Sequence, residues 1–309
     1  MAIQRDLDAH YTLIDKAFRL SLGEKCSYSC ARFDGDFSQT LEEAQRAKHQ
    51  FVVEACNIGR GTRVLDMGCG WGAFIDYADK LGAKTRGVAL AKGQTDACIR
   101  NGLNVTHMDS KDITLDTFGP FDAVVAMGST EHLCSVEQYR AGELDEIYNT
   151  YFAQIAGLLP VGGRFYCQTM VFGPNMVKFE DIRFNQTDLW KKKEEYTNEE
   201  LVDILCQIFP GSWLTHGKEG LIAPASKYFT VVSIDSGRLD YIETIKRWSQ
   251  AVKRFDLRKY LFFAGLLPEY LSSRSFREFV QRWKSDANIY LFEREVFEHY
   301  RVVFEKVRD

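Results

Sequence analysis

The sequence predicts an α/β fold, a mostly parallel sheet of seven strands flanked by helices, and three observations carry that expectation. Between residues 62 and 170, short apolar runs alternate with amphipathic helical segments, the pattern of right-handed βαβ units. The first run, Val64-Leu65-Asp66-Met67, opens directly onto Gly68-Cys69-Gly70-Trp71-Gly72. Glycine is needed where a backbone turns sharply or lies against a ligand, and doubly wound sheets bind nucleotides at this end of their strands. The third observation is Tyr300–Val307, which alternates like a strand and fits a closing strand inserted antiparallel.

The elements follow in order. Residues 1–56 read as helical. Ala9–Leu22 has apolar residues at helical spacing, and Leu41–Ala55 follows the candidate caps Ser38 and Thr40. Strands are expected at Arg63–Met67, Thr85–Leu90, Asn104–Met108, Phe121–Met127 and Arg164–Met170, with helices near 72–81, 92–101 and 143–159 between them. After Gly173 the alternation stops. Residues 174–222 are polar, Tyr228–Ile234 is a sixth strand, and residues 240–296 are helical and aromatic-rich. We expect one domain over 1–309: an N-terminal helical cap (1–60), a nucleotide-binding core (61–172), an insertion over an acceptor pocket (173–223), and last strands with a helical lid (224–309, lid 240–296).

Composition narrows the function. A chain of 309 residues with 45% hydrophobic and 27% charged residues can bury a large core. Its net charge of −4 argues against general nucleic-acid binding, which needs a basic footprint. No apolar run approaches a membrane span, and the N-terminus lacks a signal-peptide core. The eight cysteines show neither zinc spacing nor a disulfide framework. A reducing, cytoplasmic setting and no metal site are expected.

The glycine loop then selects a ligand. Its form is G-x-G-x-G, with Asp66 two residues before Gly68. That form favours S-adenosylmethionine (SAM) over a dinucleotide, for which the pattern is G-x-G-x-x-G.

Several motifs in one order extend this. Tyr28-Ser29-Cys30-Ala31-Arg32-Phe33, Leu41–Lys48, Val64–Gly72, Gly87–Gln94, Glu131-His132 and Ile208-Phe209-Pro210-Gly211 resemble the cyclopropane-fatty-acid synthase and mycolic acid methyltransferase family. The similarity spans most of the chain. It implies a class I SAM-methyltransferase (Rossmann-like) sheet with N-terminal helices and a helical cap insertion over an apolar acceptor pocket. In lipid-modifying members, methyl passes to an alkene carbon and the carbocation then loses a proton; in cyclopropane-forming members, bound bicarbonate takes it. Plant alkaloid N-methyltransferases resemble the same family.

The resemblance assigns roles by position. Gly68, Gly70, Trp71 and Gly72 would meet the amino-acid tail and ribose of SAM, with Asp66 accepting from its ammonium. Ala89, Leu90 and Gln94 follow the second strand, on the ribose side. Asp109, Ser110 and Lys111 border the adenine or form an ordinary turn. Met127 and Gly128 end the fourth strand beside the reacting methyl. Tyr28 and Ser29, with Tyr11, belong to segments that fold over SAM. Glu131 and His132 are the leading catalytic pair: a carboxylate beside a sulfonium stabilises positive charge and can take a proton. The alternative is a helix-capping Glu131 with His132 packed behind it.

Cys30 matches a position that contributes to the bicarbonate site through its backbone. Gln168 stands where the family has a histidine, and the family's tyrosine before the last strand has no counterpart between 271 and 289. An amide cannot relay a proton as imidazole can, so the bicarbonate site reads as incomplete, and plain methylation is favoured over cyclopropanation, with bicarbonate and true cyclopropane synthesis kept as an alternative. Phe172, Phe179, Trp190, Phe262, Phe263 and Trp283 either line the acceptor pocket or are core. Lys191–Lys193 is either a solvated helix face or a contact for a diphosphate or phospholipid head group. The expected acceptor is a lipid or small molecule, a fatty acyl or prenyl alkene first and an amine second, with peripheral membrane contact compatible with the first. A SAM-binding protein without catalysis is the third reading.

Overall fold

The computed structural model describes residues 14–209 and 211–308. Tyr11, the start of the first expected helix and Pro210 lie outside them. Seven strands form the sheet: β1 (Arg63–Met67), β2 (Lys84–Ala89), β3 (Val105–His107), β4 (Ala123–Met127), β5 (Arg164–Phe172), β6 (Phe229–Ser236) and β7 (Phe297–Lys306). Their spatial order is β3-β2-β1-β4-β5-β7-β6. The β1–β5 pairings are parallel, and β7 inserts antiparallel between β5 and β6, from Arg164 opposite Glu305 to Phe172 opposite Phe297.

The central strands are buried on both faces, as a parallel sheet covered by helices requires. Leu65, Val124, Phe165 and Phe304 pack with Phe152 of the helix Leu144–Leu158. On the opposite face Val64, Val125, Tyr166 and Val303 pack with Val52 and Phe74, from the helices Leu41–Ala55 and Ala73–Lys80. Thr40 caps the first of these helices. Its hydroxyl accepts from Glu43 N while the Glu43 carboxylate accepts from Thr40 N, the reciprocal arrangement that satisfies two orphan donors.

Strand reversal occurs between β1 and β4, so the carboxyl ends of β1, β2 and β4 open onto one crevice. Two groups of helices close over it: residues 14–22, which are helical, and the series Arg238–Lys253, Leu257–Gly265, Leu267–Ser272, Arg274–Lys284 and Ala287–Glu293. Residues 174–222 hold the helices Asn198–Ile208 and Glu219–Ala225. The run Lys191–Glu195 is not a solvated helix face. Lys193–Glu195 is a single tight turn, Lys191 pairs with Glu200 at 2.5 Å, and Lys193 pairs with Asp286.

Candidate active site

A cavity of about 690 Å³ occupies the crevice at the ends of β1, β2 and β4. Tyr28, Ser29, Asp66, Gly68, Gly70, Trp71, Ala89, Leu90, Gln94, Asp109, Ser110, Lys111, Met127 and Gly128 all line it. The three loop glycines take positive φ for different reasons. At Gly68 a Cβ would overlap Ser129, whose Oγ would lie 3.0 Å away, and at Gly72 it would strike Leu103 and come within 3.1 Å of Cys98 Sγ. Gly72 does not line the cavity. Only Gly70 is open, its nearest neighbour the Gln94 amide at 4.0 Å. Two glycines therefore let the loop pack, and the third leaves room for a ligand.

Asp66 is 2% exposed and its Oδ1 has no partner. Burial pushes its carboxyl up to about 7, against a smaller opposing pull from Lys48. A buried, unsatisfied carboxylate oxygen is costly, and a ligand ammonium would satisfy it. Asp109 accepts from Lys111 N at 3.1 Å and caps the turn Ser110–Asp112, so turn chemistry and cavity lining coincide there. Tyr28 stacks on Trp248 at 4.6 Å and meets Trp71 edge-on at 6.3 Å, closing the cavity with an aromatic wall.

A narrower second cavity, of about 50 Å³, adjoins the first and shares Tyr28, Gly128 and His132 with it. Its walls are mostly apolar, including Met170, Phe172, Leu205, Phe209 and Phe297. Glu131 is its one carboxylate, 4% exposed. Glu131 Oε1 accepts from Met170 N at 2.9 Å, and Oε2 has no partner. Burial pushes this carboxyl up to about 7, opposed by backbone hydrogen bonds and, more weakly, by the Thr169 hydroxyl. Glu131 therefore braces β5 and does not cap the following helix. His132 Nδ1 lies 2.9 Å from Ser212 Oγ, and burial lowers its pKa to about 4, so it is neutral at pH 7.

The structure corrects several expected site residues. Cys30 and Gln168 line neither cavity. Gln168 donates to the Cys30 carbonyl at 3.1 Å and accepts from Tyr166 at 3.0 Å, so its amide ties β5 to the 29–31 segment. Burial raises the Cys30 thiol to about 12, which removes thiolate chemistry. The fit to bicarbonate is therefore incomplete, because no imidazole takes the Gln168 place. Residues 271–289 do lack a tyrosine, and the tyrosine that lines the second cavity, Tyr241, comes instead from the earlier helix Arg238–Lys253. Of the six aromatics proposed for that cavity, Phe172 alone lines it. Phe179 packs on Trp213 within the same core cluster as Phe172 but away from the cavity lining, Trp190 is 59% exposed, and Trp283 packs on Phe18 and Phe279. Phe262 carries Lys16 over its ring, and Phe263 is exposed.

Other residues at the site have no counterpart in the expectations. Lys48, fully buried, donates from Nζ to Ser27 Oγ and Ser29 Oγ, each at 2.8 Å. Burial lowers its pKa to about 7. His49 lines the large cavity with Nε2 unpartnered. The signal was the register of Leu41–Ala55, whose buried face runs Ala44, Gln45, Lys48, His49, Val52 and Val53: a lysine in the apolar stripe.

A nucleotide crevice at the strand reversal and a β7 inserted antiparallel define a class I methyltransferase fold. The comparisons with known proteins agree. The mycolic acid cyclopropane synthetase family model matches residues 2–260, and the chain belongs to that family. Cyclopropane mycolic acid synthase 3 of Mycobacterium tuberculosis (strain CDC 1551 / Oshkosh) is 29% identical over 258 residues, 80% of this chain and 82% of that protein. Among solved structures, mycolic acid cyclopropane synthase CmaA1 complexed with SAH and CTAB matches at TM-score 0.72 and 24% identity, covering 98% of both chains. Coclaurine N-methyltransferase, bound to N-methylheliamine and SAH, matches at TM-score 0.71 and 16% identity, over 99% of this chain and 84% of that one. The chain is a SAM-dependent methyltransferase with SAM as its cofactor. Among the described residues no helix is long and apolar enough to cross a membrane, and no cluster of three or more His, Cys, Asp or Glu could hold a metal.

Proposed function

We propose that this enzyme methylates an alkene carbon of an apolar acceptor, a fatty acyl or prenyl chain, and that Glu131 takes the final proton. The observation that carries the reading is Glu131 Oε2, a buried and unpartnered carboxylate oxygen in an apolar cavity that shares three residues with the cofactor cavity. SAM, when bound, supplies a methyl on a cationic sulfur. The alkene π pair forms the new C–C bond while the C–S pair returns to sulfur. Positive charge then rests on the second alkene carbon. Loss of a proton from an adjacent carbon restores a double bond, and Glu131 accepts that proton.

The site residues divide the work. Asp66 and Gly70 receive the cofactor's amino-acid end, with Gln94, Asp109 and Ser110 along its nucleoside. Tyr28 and Tyr241 exclude water and offer ring faces to the cation. His132 is neutral and adds no competing positive charge. The carboxyl of Glu131 is half ionised near pH 7, poised between the two forms a general base must visit. The same placement suits a family chain whose Gln168 cannot act as a proton relay, and it favours methylation over cyclopropanation. The N-terminal helices, the insertion 173–223 and the lid 240–296 belong with the core as one domain around this site. Incubation with labelled SAM and a panel of unsaturated lipids and prenyl diphosphates tests the proposal. Transfer to an alkene supports it, and transfer only to amines sinks it.

A further inference from the structure

The helix Leu257–Gly265 is built inside out. Leu257, Tyr260, Leu261 and Ala264 recur at positions i, i+3, i+4 and i+7 and all face solvent. The buried residue of this helix is a cation, Lys259, 1% exposed, with Nζ donating to the Ala251 carbonyl at 2.7 Å. A surface helix of a water-soluble core does the opposite. The apolar stripe continues at both ends: Phe255 is 76% exposed and Leu271 69%. Cations outnumber carboxylates along residues 253–271, with Lys253, Arg254, Arg258 and Lys259 against Asp256 and Glu269. Lys253, Arg254 and Arg258 are exposed, and among the described residues they form no ion pair, whereas Asp256 is engaged in capping the helix through Lys259 N. A basic, outward apolar helical segment on a chain of net charge −4 has the chemistry of an interfacial helix on an anionic bilayer.

The surface is joined to the acceptor cavity. The helix Arg274–Lys284 follows directly and packs on Asn198–Ile208, which contributes Val202 and Leu205 to the cavity wall. Its Trp283 meets Phe18 at 6.0 Å, and Phe18 meets Tyr28 at 4.5 Å, so aromatic rings run from the lid to the residue shared by both cavities.

We propose that residues 253–271 dock the enzyme on an anionic lipid surface and that acceptor chains enter from it. The second half of this statement rests on the apolar acceptor proposed above; the docking does not. Flotation of the full chain with vesicles of phosphatidylcholine alone, and of phosphatidylcholine mixed with phosphatidylglycerol, tests it. The protein should float with the mixed vesicles. Each basic residue adds on the order of five-fold to binding, so raised salt or neutral vesicles should weaken it by more than ten-fold. The double variant Leu257→Ser, Leu261→Ser should lose at least ten-fold, and Arg254→Glu with Arg258→Glu should abolish the preference for anionic lipid. SAH binding by calorimetry, unchanged in both, shows that they remain folded. No flotation of the wild type, or undiminished flotation of both variants, overturns the proposal. So does a wild-type oligomer that the leucine variant splits, which assigns the patch to a second copy. Flotation without transfer to any alkene lipid leaves the docking surface standing and removes the proposed acceptor.

Discussion

Gly68→Ala and Gly70→Ala should separate packing from ligand binding within one loop. Both residues take positive φ, +93° and +55°, and a side chain there costs about 1–2 kcal/mol. At Gly70 that is nearly the whole cost, because the new methyl meets nothing closer than the Gln94 amide at 4.0 Å. At Gly68 the methyl also collides with Ser129, whose hydroxyl is held by Met67 O at 2.5 Å and cannot swing away freely. Overpacking adds about 1–3 kcal/mol. Thermal unfolding should therefore fall by about 4–10 °C for Gly68→Ala and about 2–4 °C for Gly70→Ala, at about 2 °C per kcal/mol for a chain of this size. Adding SAH reverses the ranking of effects. Wild type and Gly68→Ala should gain thermal stability with ligand, and Gly70→Ala should need at least about ten-fold more for the same gain. Ser129→Gly in the Gly68→Ala background should recover the collision part, a coupling of at least about 1 kcal/mol. Strict additivity of that pair, or a normal SAH response in Gly70→Ala, refutes the reasoning.

The buried charges supply two further expectations. Glu131→Gln should lower kcat by about 100-fold or more while SAH affinity by calorimetry is retained. In the wild type, activity should rise as pH climbs through about 7, and this limb should disappear in the variant. The stability sign follows from the same shift: the folded carboxyl holds its proton up to about 7, so wild-type stability falls as pH rises from 4.5 to 7, and at pH 8 the variant should be more stable by roughly 1–3 kcal/mol. Lys48→Met should free Ser27 and Ser29, raising KM for SAM about ten-fold with little change in kcat, as read by initial rates at saturating acceptor.

How far the sequence carried depended on what each residue's neighbours were. β1 was read from Arg63 to Met67, as observed, and the other strands were placed within a few residues, because a parallel sheet buried on both faces leaves unmistakable apolar runs. The glycine loop was equally legible, and its residues apart from Gly72 do line one cavity. The acceptor side was not legible. Phe172 and Phe179 look alike in sequence and both pack on Trp213, yet of the two Phe172 alone, from β5, lines the cavity. Tyr241 was missed because helical spacing over 240–296 does not say which of five successive helices turns toward the site. Gln168 was read as an altered catalytic position, and its place in the fold is a brace to the Cys30 carbonyl. The inverted helix Leu257–Gly265 was read only as aromatic-rich; its spacing is visible in the sequence, but which side faces water is set by the position of Arg238–Lys253 beneath it, whose Ala251 carbonyl takes the Lys259 ammonium.

The most direct measurement of the central claim is product mass with SAM carrying a trideuterated methyl group, incubated with an unsaturated lipid or prenyl acceptor. Alkene methylation with proton loss from the acceptor chain predicts a product that keeps all three deuteriums on a new carbon-bound methyl group. A product with only two deuteriums, as in a cyclopropane, or a trideuteromethyl group on nitrogen, contradicts it.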